Sequence, residues 1–116
     1  NLHDEAIRGL QFYKEEMDIL ETRLAEVAQK NTSWEARQGI EHFQNQFIIQ
    51  RNNIDELKHR INLHVQDMRT ESSNHTGHIP EELVKKEKEL SAEYLGLEKI
   101  INEIRQEFNR YLSKWM

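Results

Sequence analysis

The chain has 116 residues, of which 36% are apolar and 32% are charged, with one Pro and four Gly. This composition favours long helices with a large solvated surface over a sheet or a mixed globular fold. The net charge of −5 argues against a nucleic-acid backbone as the main partner, because that binding requires clustered Lys and Arg.

The first predicted helix spans residues about 4–29, where apolar residues recur at alternating spacings of four and three. These ladder residues are Ala6, Leu10, Tyr13, Met17, Leu20, Leu24 and Val27. Lys30 and Asn31 then suit a helix end, because a cation favours the C-terminus and Asn can adopt the left-handed cap conformation.

The second predicted helix spans residues about 33–69. Thr32 and Glu35 have the spacing of a capping box, with Thr32 as the N-cap and Glu35 reaching back to it. The ladder of this helix is Ala36, Ile40, Phe43, Phe47, Gln50, Ile54, Leu57, Ile61, His64 and Met68. The connection to the first helix is short, so the two helices should be antiparallel neighbours.

The third predicted helix spans residues about 80–114, after a polar segment at 70–79 that contains the main cluster of helix breakers. Pro80 suits the first helical position, and Glu81 and Glu82 suit the first turn. The ladder of this helix is Leu83, Glu87, Leu90, Tyr94, Leu97, Ile101, Ile104, Phe108, Tyr111 and Trp115.

Three ladders with a repeat of about 3.5 residues predict an all-α, antiparallel, up-down-up three-helix bundle with coiled-coil heptad packing. We expect a single domain over residues 1–116. The first helix begins late, so the ends of the other two should form a two-helix projection around the loop of residues 70–79. Trp34 and Trp115 should together plug the opposite end of the bundle.

Two ladder positions hold an imidazole and a carboxylate, and matching the turns places His64 opposite Glu87. Burying either group is costly unless it is paired, so we expect the two side chains to form one hydrogen-bonded unit. One interpretation is a polar layer that sets the helix register. The other is a pH-sensitive latch or half of a metal site. Gln50 lies at the level of Tyr13, and we expect a hydrogen bond between them.

Catalytic and cofactor motifs are not apparent in the sequence. There is no Gly-rich phosphate loop, no nucleophile-elbow context for Ser, and no Cys for a thiolate site. His75 and His78 lie in the loop and, with His64 and Glu87, are weak metal candidates that fall short of a closed site. We therefore predict a protein without enzymatic activity and without a cofactor.

Several apolar residues lie outside the ladders and indicate a second apolar surface. Phe12 and Ile19 lie seven residues apart on the first helix, and Ile48 and Ile49 are adjacent on the second. The approximate register lets all four border one groove between these helices, either as an interface or as a widened core. Further candidates off the ladders are Leu63, Val65 and Leu95.

The sequence thus predicts a protein–protein interaction or self-assembly module, with a homodimer as the expected assembly. The alternative is a small helical metal- or ligand-binding protein that uses His64 and Glu87 or the loop histidines. No run reaches the roughly 18 apolar residues of a membrane span, so no membrane partner is expected. No signal peptide is visible, although the chain begins with Asn1 rather than Met, and we predict a cytoplasmic location.

Overall fold

The computed structural model describes residues 2–74 and 78–116, with the side chain of Leu2 not described. It contains three helices, α1 (Leu2–Lys30), α2 (Trp34–Asn74) and α3 (Glu81–Trp115), and no strand within the described ranges. The helices pack side by side into a rod with extents of 64 × 18 × 17 Å. The predicted all-α three-helix bundle is confirmed.

Contacts between side chains fix the direction of each helix. Lys14 pairs with Asp55 at 2.8 Å and Glu21 pairs with Arg51 at 2.8 Å, so residue numbers rise along α1 as they fall along α2. These two helices are therefore antiparallel.

The same comparison shows that α1 and α3 are parallel. Tyr13 contacts Glu98, 85 positions later in the chain, and Asn31 contacts Trp115, 84 positions later. The near-constant difference means that a residue of α1 lies level with the residue of α3 whose number is about 84 or 85 higher. For a residue of α1, this offset gives the residue of α3 that lies at about the same height along the rod.

The hydrophobic core consists of the predicted ladder residues, and all seven of those in α1 are buried. The fully enclosed residues are Leu10, Met17, Val27, Ala36, Phe47, Ile54, Ile101 and Phe108. This core is the seam along which the three helices meet. Burial of a Leu, Ile, Phe or Met side chain stabilises a fold by about 1.5–3 kcal/mol, so the seam supplies most of the stabilisation of the bundle. Met68 and Leu83, near the loop, are only half-buried.

The turn between α1 and α2 differs by one residue from its prediction. Ser33, not Thr32, is the N-cap of α2, because its Oγ accepts a hydrogen bond of 3.2 Å from the backbone N–H of Ala36. The Glu35 carboxylate does not reach back to the cap and instead lies 3.6 Å from the Nζ of Lys114 on α3. The same turn is fastened to α3 by Asn31, whose Nδ2 donates to the Trp115 carbonyl at 2.9 Å.

The far end of α2 also differs from its prediction, since the helix continues to Asn74 instead of ending near residue 69. Thr70 and Ser73 donate their hydroxyl protons to the carbonyls of Gln66 and Arg69, each at 3.0 Å. Hydroxyl groups that bond back to the preceding turn let Ser and Thr remain helical instead of breaking the helix.

Two expectations about the bundle ends are wrong. α1 begins at Leu2 rather than near residue 4, and His3 packs against His64, so α1 covers one more layer of the proposed projection than expected. Trp34 does not plug the opposite end and is 71% exposed. It precedes the seam residue Ala36 by two positions, which is about 200° of helical rotation, so the two side chains point in opposite directions.

Two Tyr side chains of α3 fit against Gly residues of the other helices. A Cβ at Gly9 would lie 2.9 Å from the Cζ of Tyr94, and one at Gly39 would lie 2.7 Å from the Cζ of Tyr111. The Tyr111 hydroxyl donates to the Ala36 carbonyl at 2.6 Å. These Gly residues therefore allow the close approach of α3 to its neighbours.

Candidate functional site

His64 is the most deeply buried ionisable side chain of the seam, with 2% of its surface exposed. Its ring packs edge-on against that of His3, with 5.5 Å between ring centroids. Its Nε2 has no hydrogen-bond partner. Burial, followed by repulsion from His3, lowers the pKa of His64, and these effects outweigh attraction from Glu87 and Asp67.

The expected hydrogen-bonded pair of His64 and Glu87 is not formed. Glu87 is close to His3 instead, with 3.4 Å between Glu87 Oε1 and His3 Nε2, although the His3 nitrogen has no hydrogen bond. The reason is that α1 extends far enough to insert His3 between them. The three side chains form a polar layer across all three helices, which we call the histidine layer: His3, His64 and Glu87.

The histidine layer does not have the arrangement of a metal centre. Over residues 2–74 and 78–116, no group of three or more His, Asp or Glu side chains is placed to hold a metal ion. His78 is exposed in the segment before α3, and His75 lies outside the described residues. The histidine layer places two imidazole nitrogens without hydrogen-bond partners, those of His3 and His64, in a mostly apolar seam, which is costly for stability.

The second polar layer also pairs differently from its prediction. Tyr13 donates its hydroxyl proton to Glu98 Oε2 at 2.7 Å, and Gln50 accepts through Oε1 from Asn53 Nδ2 at 3.2 Å. Burial and the hydrogen bond to the Glu98 carboxylate raise the pKa of Tyr13. A carboxylate is a stronger hydrogen-bond acceptor than an amide oxygen. This difference accounts for the hydrogen bond of the Tyr13 hydroxyl to Glu98 instead of Gln50.

The four apolar residues predicted as an interface are all exposed: Phe12 by 56%, Ile19 by 62%, Ile48 by 48% and Ile49 by 47%. They do not share one groove between α1 and α2. Ile48 alone of the four lines that groove, where Leu24 and Ile40 are its apolar neighbours. The next residue on a helix is rotated by about 100°, which directs Ile49 towards α3.

Phe12 and Ile19 lie on the opposite flank of α1, beside α3. Their neighbours on this flank identify it, since Tyr13 donates to Glu98 and Glu16 accepts from Arg105 Nε at 3.0 Å. Phe12 and Glu16 are one helical turn apart on the same side of α1. The sequence pattern could not show this. A residue of α1 off the ladder can lie on the side that faces α2 or on the side that faces α3, and the apolar repeat does not distinguish the two sides.

Leu95 of α3 belongs to the same surface as Phe12 and Ile19. It is 62% exposed, and it lies one helical turn after Ser91, which lines a cavity together with Ala6 of α1. The offset between α1 and α3 places it close to the level of Phe12. The sequence identified Leu95 as a residue off the ladder, but it did not show which residues of another helix lie beside it. We call Phe12, Ile19 and Leu95 the α1–α3 patch.

The groove between α2 and α3 has a different character. It contains Gly96, Leu97 and Ile100, and it is crossed by Arg60 and Glu93. The guanidinium donates twice to the carboxylate, at 2.8 and 2.9 Å, which raises the pKa of Arg60 and lowers the pKa of Glu93. A charged pair spans this groove, as Glu16 and Arg105 join α1 to α3, but the α1–α3 patch adds three large exposed apolar side chains.

None of the described helices contains an apolar stretch long enough to cross a membrane. Comparison with protein-family models, with curated proteins and with solved structures found no match to this chain. The functional argument therefore rests on the geometry of the chain itself.

Proposed function

We propose that this protein is a non-catalytic protein–protein interaction or self-assembly module of the cytoplasm, and that the α1–α3 patch is its contact surface. The observation that carries the proposal is the exposure of Phe12, Ile19 and Leu95 on a bundle whose seam is already filled. Clustered apolar side chains on the outside of a soluble domain mark contact sites more often than isolated ones do.

The composition of the patch supports this proposal. Aromatic residues are enriched in the buried centres of protein interfaces, and Phe12 supplies one that stacks edge-on against Tyr13 at 5.5 Å. Tyr13 is itself fixed by its hydrogen bond to Glu98, so the Phe12 ring rests on a rigid support. A rigid support lowers the entropy lost on association.

Affinity capture from the native host tests the proposal, with the intact chain as bait and mass measurement of the recovered assembly. A bait carrying Phe12→Ser, Ile19→Ser and Leu95→Ser should lose its partner, or its second copy, because the apolar contact is removed. The matched control is Ile48→Ser, since Ile48 is similarly exposed but lies between α1 and α2.

Circular dichroism of each bait checks that its helices are intact. Recovery of the same assembly by the triple variant would contradict the assignment of the patch. A wild-type bait that recovers no protein and is itself monomeric would contradict the proposed function.

A further inference from the structure

We infer that the start of α1 is a pH-sensitive strap, which detaches from α2 and α3 when both imidazoles of the histidine layer are protonated. The strap consists of residues 2–8, the part of α1 that precedes Gly9. None of its residues belongs to the α1–α3 patch, so the strap adds a second property to the bundle and does not depend on the proposed contact surface.

The histidine layer contains two imidazoles but only one carboxylate. The rings of His3 and His64 are 5.5 Å apart between centroids, and the Nε2 atoms of both are buried without a hydrogen-bond partner. A proton on His3 Nε2 creates a donor 3.4 Å from Glu87 Oε1. A proton on His64 Nε2 creates a donor without an acceptor, on a side chain that is 2% exposed and beside a second cation. The layer therefore accommodates one proton and not two.

The surroundings of the layer do not supply the missing acceptor. Asp67 and Glu82 border His64 but are exposed, so solvent screens their attraction for its charge. Burial and repulsion from His3 accordingly lower the pKa of His64. The ionisable groups around the two imidazoles are Asp4 and Arg8 on α1, Arg60, Asp67 and Arg69 on α2, and Glu82, Lys86 and Glu87 on α3.

Contacts further along α1 confine the detachment to the strap. Gln11 Oε1 accepts a hydrogen bond from Lys58 Nζ at 3.0 Å, and Tyr13 donates to Glu98 at 2.7 Å. Gly9 separates these contacts from the strap, and Gly favours the helix less than any residue except Pro. An opening that begins at the histidine layer should therefore stop near Gly9.

Detachment of the strap uncovers part of the seam. His3 and Ala6 close a space of about 10 Å³ over Ile61 and Leu90, which are each only 2% exposed while the strap is in place. The seam residues beyond this layer are already half-buried: Val65, Met68 and Leu83. The open form thus presents a continuous apolar stripe along α2 and α3. The strap couples the pH to the exposure of this stripe.

Opening of the strap is linked to proton uptake. In the open form His64 is in contact with water and its pKa returns to the ordinary value of about 6.5, whereas burial lowers this pKa in the closed form. The open form therefore binds one more proton below a pH of about 6.5, and the closed form is favoured above it. Below that value the ratio of open to closed chains should rise about tenfold per pH unit, until the closed form is protonated as well.

Pulsed dipolar electron paramagnetic resonance tests the strap, because the chain has no Cys and accepts spin labels at chosen positions. The pair Glu5→Cys and Lys88→Cys measures the distance from the strap to α3. The control pair is Glu26→Cys and Asn109→Cys, which lies three heptads further along both helices (26 minus 5 and 109 minus 88 are both 21). All four positions are exposed. On acidification from about pH 7.5 to about pH 5, a longer distance should appear in the first pair and not in the control pair.

Substitutions in the labelled chain identify the group that is responsible. His64→Leu should keep the strap closed at pH 5, because no charge then forms in the seam. His3→Gln should shift the opening to lower pH, because the repulsion between the two imidazoles is removed. His59→Gln is the matched control, since His59 is exposed on α2, and it should open as the wild type does. Circular dichroism shows that each variant is folded.

Three results would overturn the strap. The first is a distance between positions 5 and 88 that stays the same over the whole pH range. The second is an equal lengthening in both labelled pairs, which would mean that the whole bundle opens. The third is an opening that persists in His64→Leu, which would assign the response to another group.

Discussion

The two ends of the bundle are filled with different chemistry. Near the turn between α1 and α2, Phe43, Phe47 and Phe108 pack with ring centroids 5.1 to 6.1 Å apart. At the other end the same seam is filled by the histidine layer, where His64 is buried and its Nε2 has no partner. The interior of the first end is filled mainly by aromatic rings, whereas the interior of the other end contains imidazole and carboxylate groups.

This difference predicts different responses of the two ends to solution conditions. Contacts between aromatic rings depend on shape and do not change with pH in the physiological range. The histidine layer does change, because the charge of an imidazole depends on pH near neutrality. The aromatic end should therefore open last, and the histidine layer should be the place where the bundle frays first.

The largest expected effect is at the aromatic end. Phe108→Ala should lower the free energy of unfolding by about 3–5 kcal/mol, because it leaves a cavity among Phe43 and Phe47. Urea unfolding followed by circular dichroism measures this loss. Phe12→Ala is the control and should change stability little, since Phe12 is 56% exposed. A loss below about 1 kcal/mol for Phe108→Ala would show that the aromatic end is not the anchor of the fold.

An intermediate effect is expected where Tyr111 extends this end onto Gly39. Gly39→Ala should destabilise the bundle by about 1–3 kcal/mol, because the added Cβ overlaps the Tyr111 ring. Gly96→Ala is the matched control, since its Cβ would meet no atom within 4 Å. There the substitution should stabilise α3 by up to about 1 kcal/mol through helix propensity. Thermal unfolding of both variants measures the contrast, and equal shifts would contradict the close approach.

The smallest effect is expected in the histidine layer and depends on pH. Because burial lowers the pKa of His64, the unfolded chain binds a proton more readily than the folded chain below a pH of about 6.5. Stability should therefore fall as the pH drops below that value and should be fully present above it. The ionisable groups near His64 are His3, Asp67, Lys86 and Glu87.

His64→Leu should flatten this dependence and raise the free energy of unfolding at pH 5 by about 1 kcal/mol, since it removes an unpaired buried nitrogen. Urea unfolding between pH 5 and 8 measures the slope. His59→Gln is the control, because His59 is exposed on α2 and its loss should leave the slope in place. A slope that persists in His64→Leu would assign the pH response to another group.

Most of the fold could be predicted from the sequence, because heptad spacing depends only on which residues are apolar. All seven ladder residues of α1 are buried as expected. The helix ends were less predictable. Thr70 and Ser73 are compatible with a loop or with a helix, and their hydroxyl bonds to the preceding turn appear only in the folded chain.

The candidate site was predictable only in part. The positions of Phe12 and Ile19 off the ladder left an interface and a widened core as alternatives, and their exposure and grouping with Leu95 are visible only in the structure. The register between helices predicts how far along the rod a residue lies. The neighbouring helix that the residue faces depends also on the side of the first two helices on which α3 packs. The pairing of Glu87 with His3 instead of His64 was missed for a related reason, since it depended on where α1 begins.

The sequence by itself determined that this chain forms three amphipathic helices, that their seams face one another, and that α1 and α3 are parallel. Only the tertiary structure decided which side of each helix faces which neighbouring helix. The apolar repeat identifies the buried stripe of a helix but does not distinguish the two sides of that stripe. That choice places Phe12, Ile19 and Leu95 on one surface of the bundle. The proposed contact surface follows from this choice of neighbours.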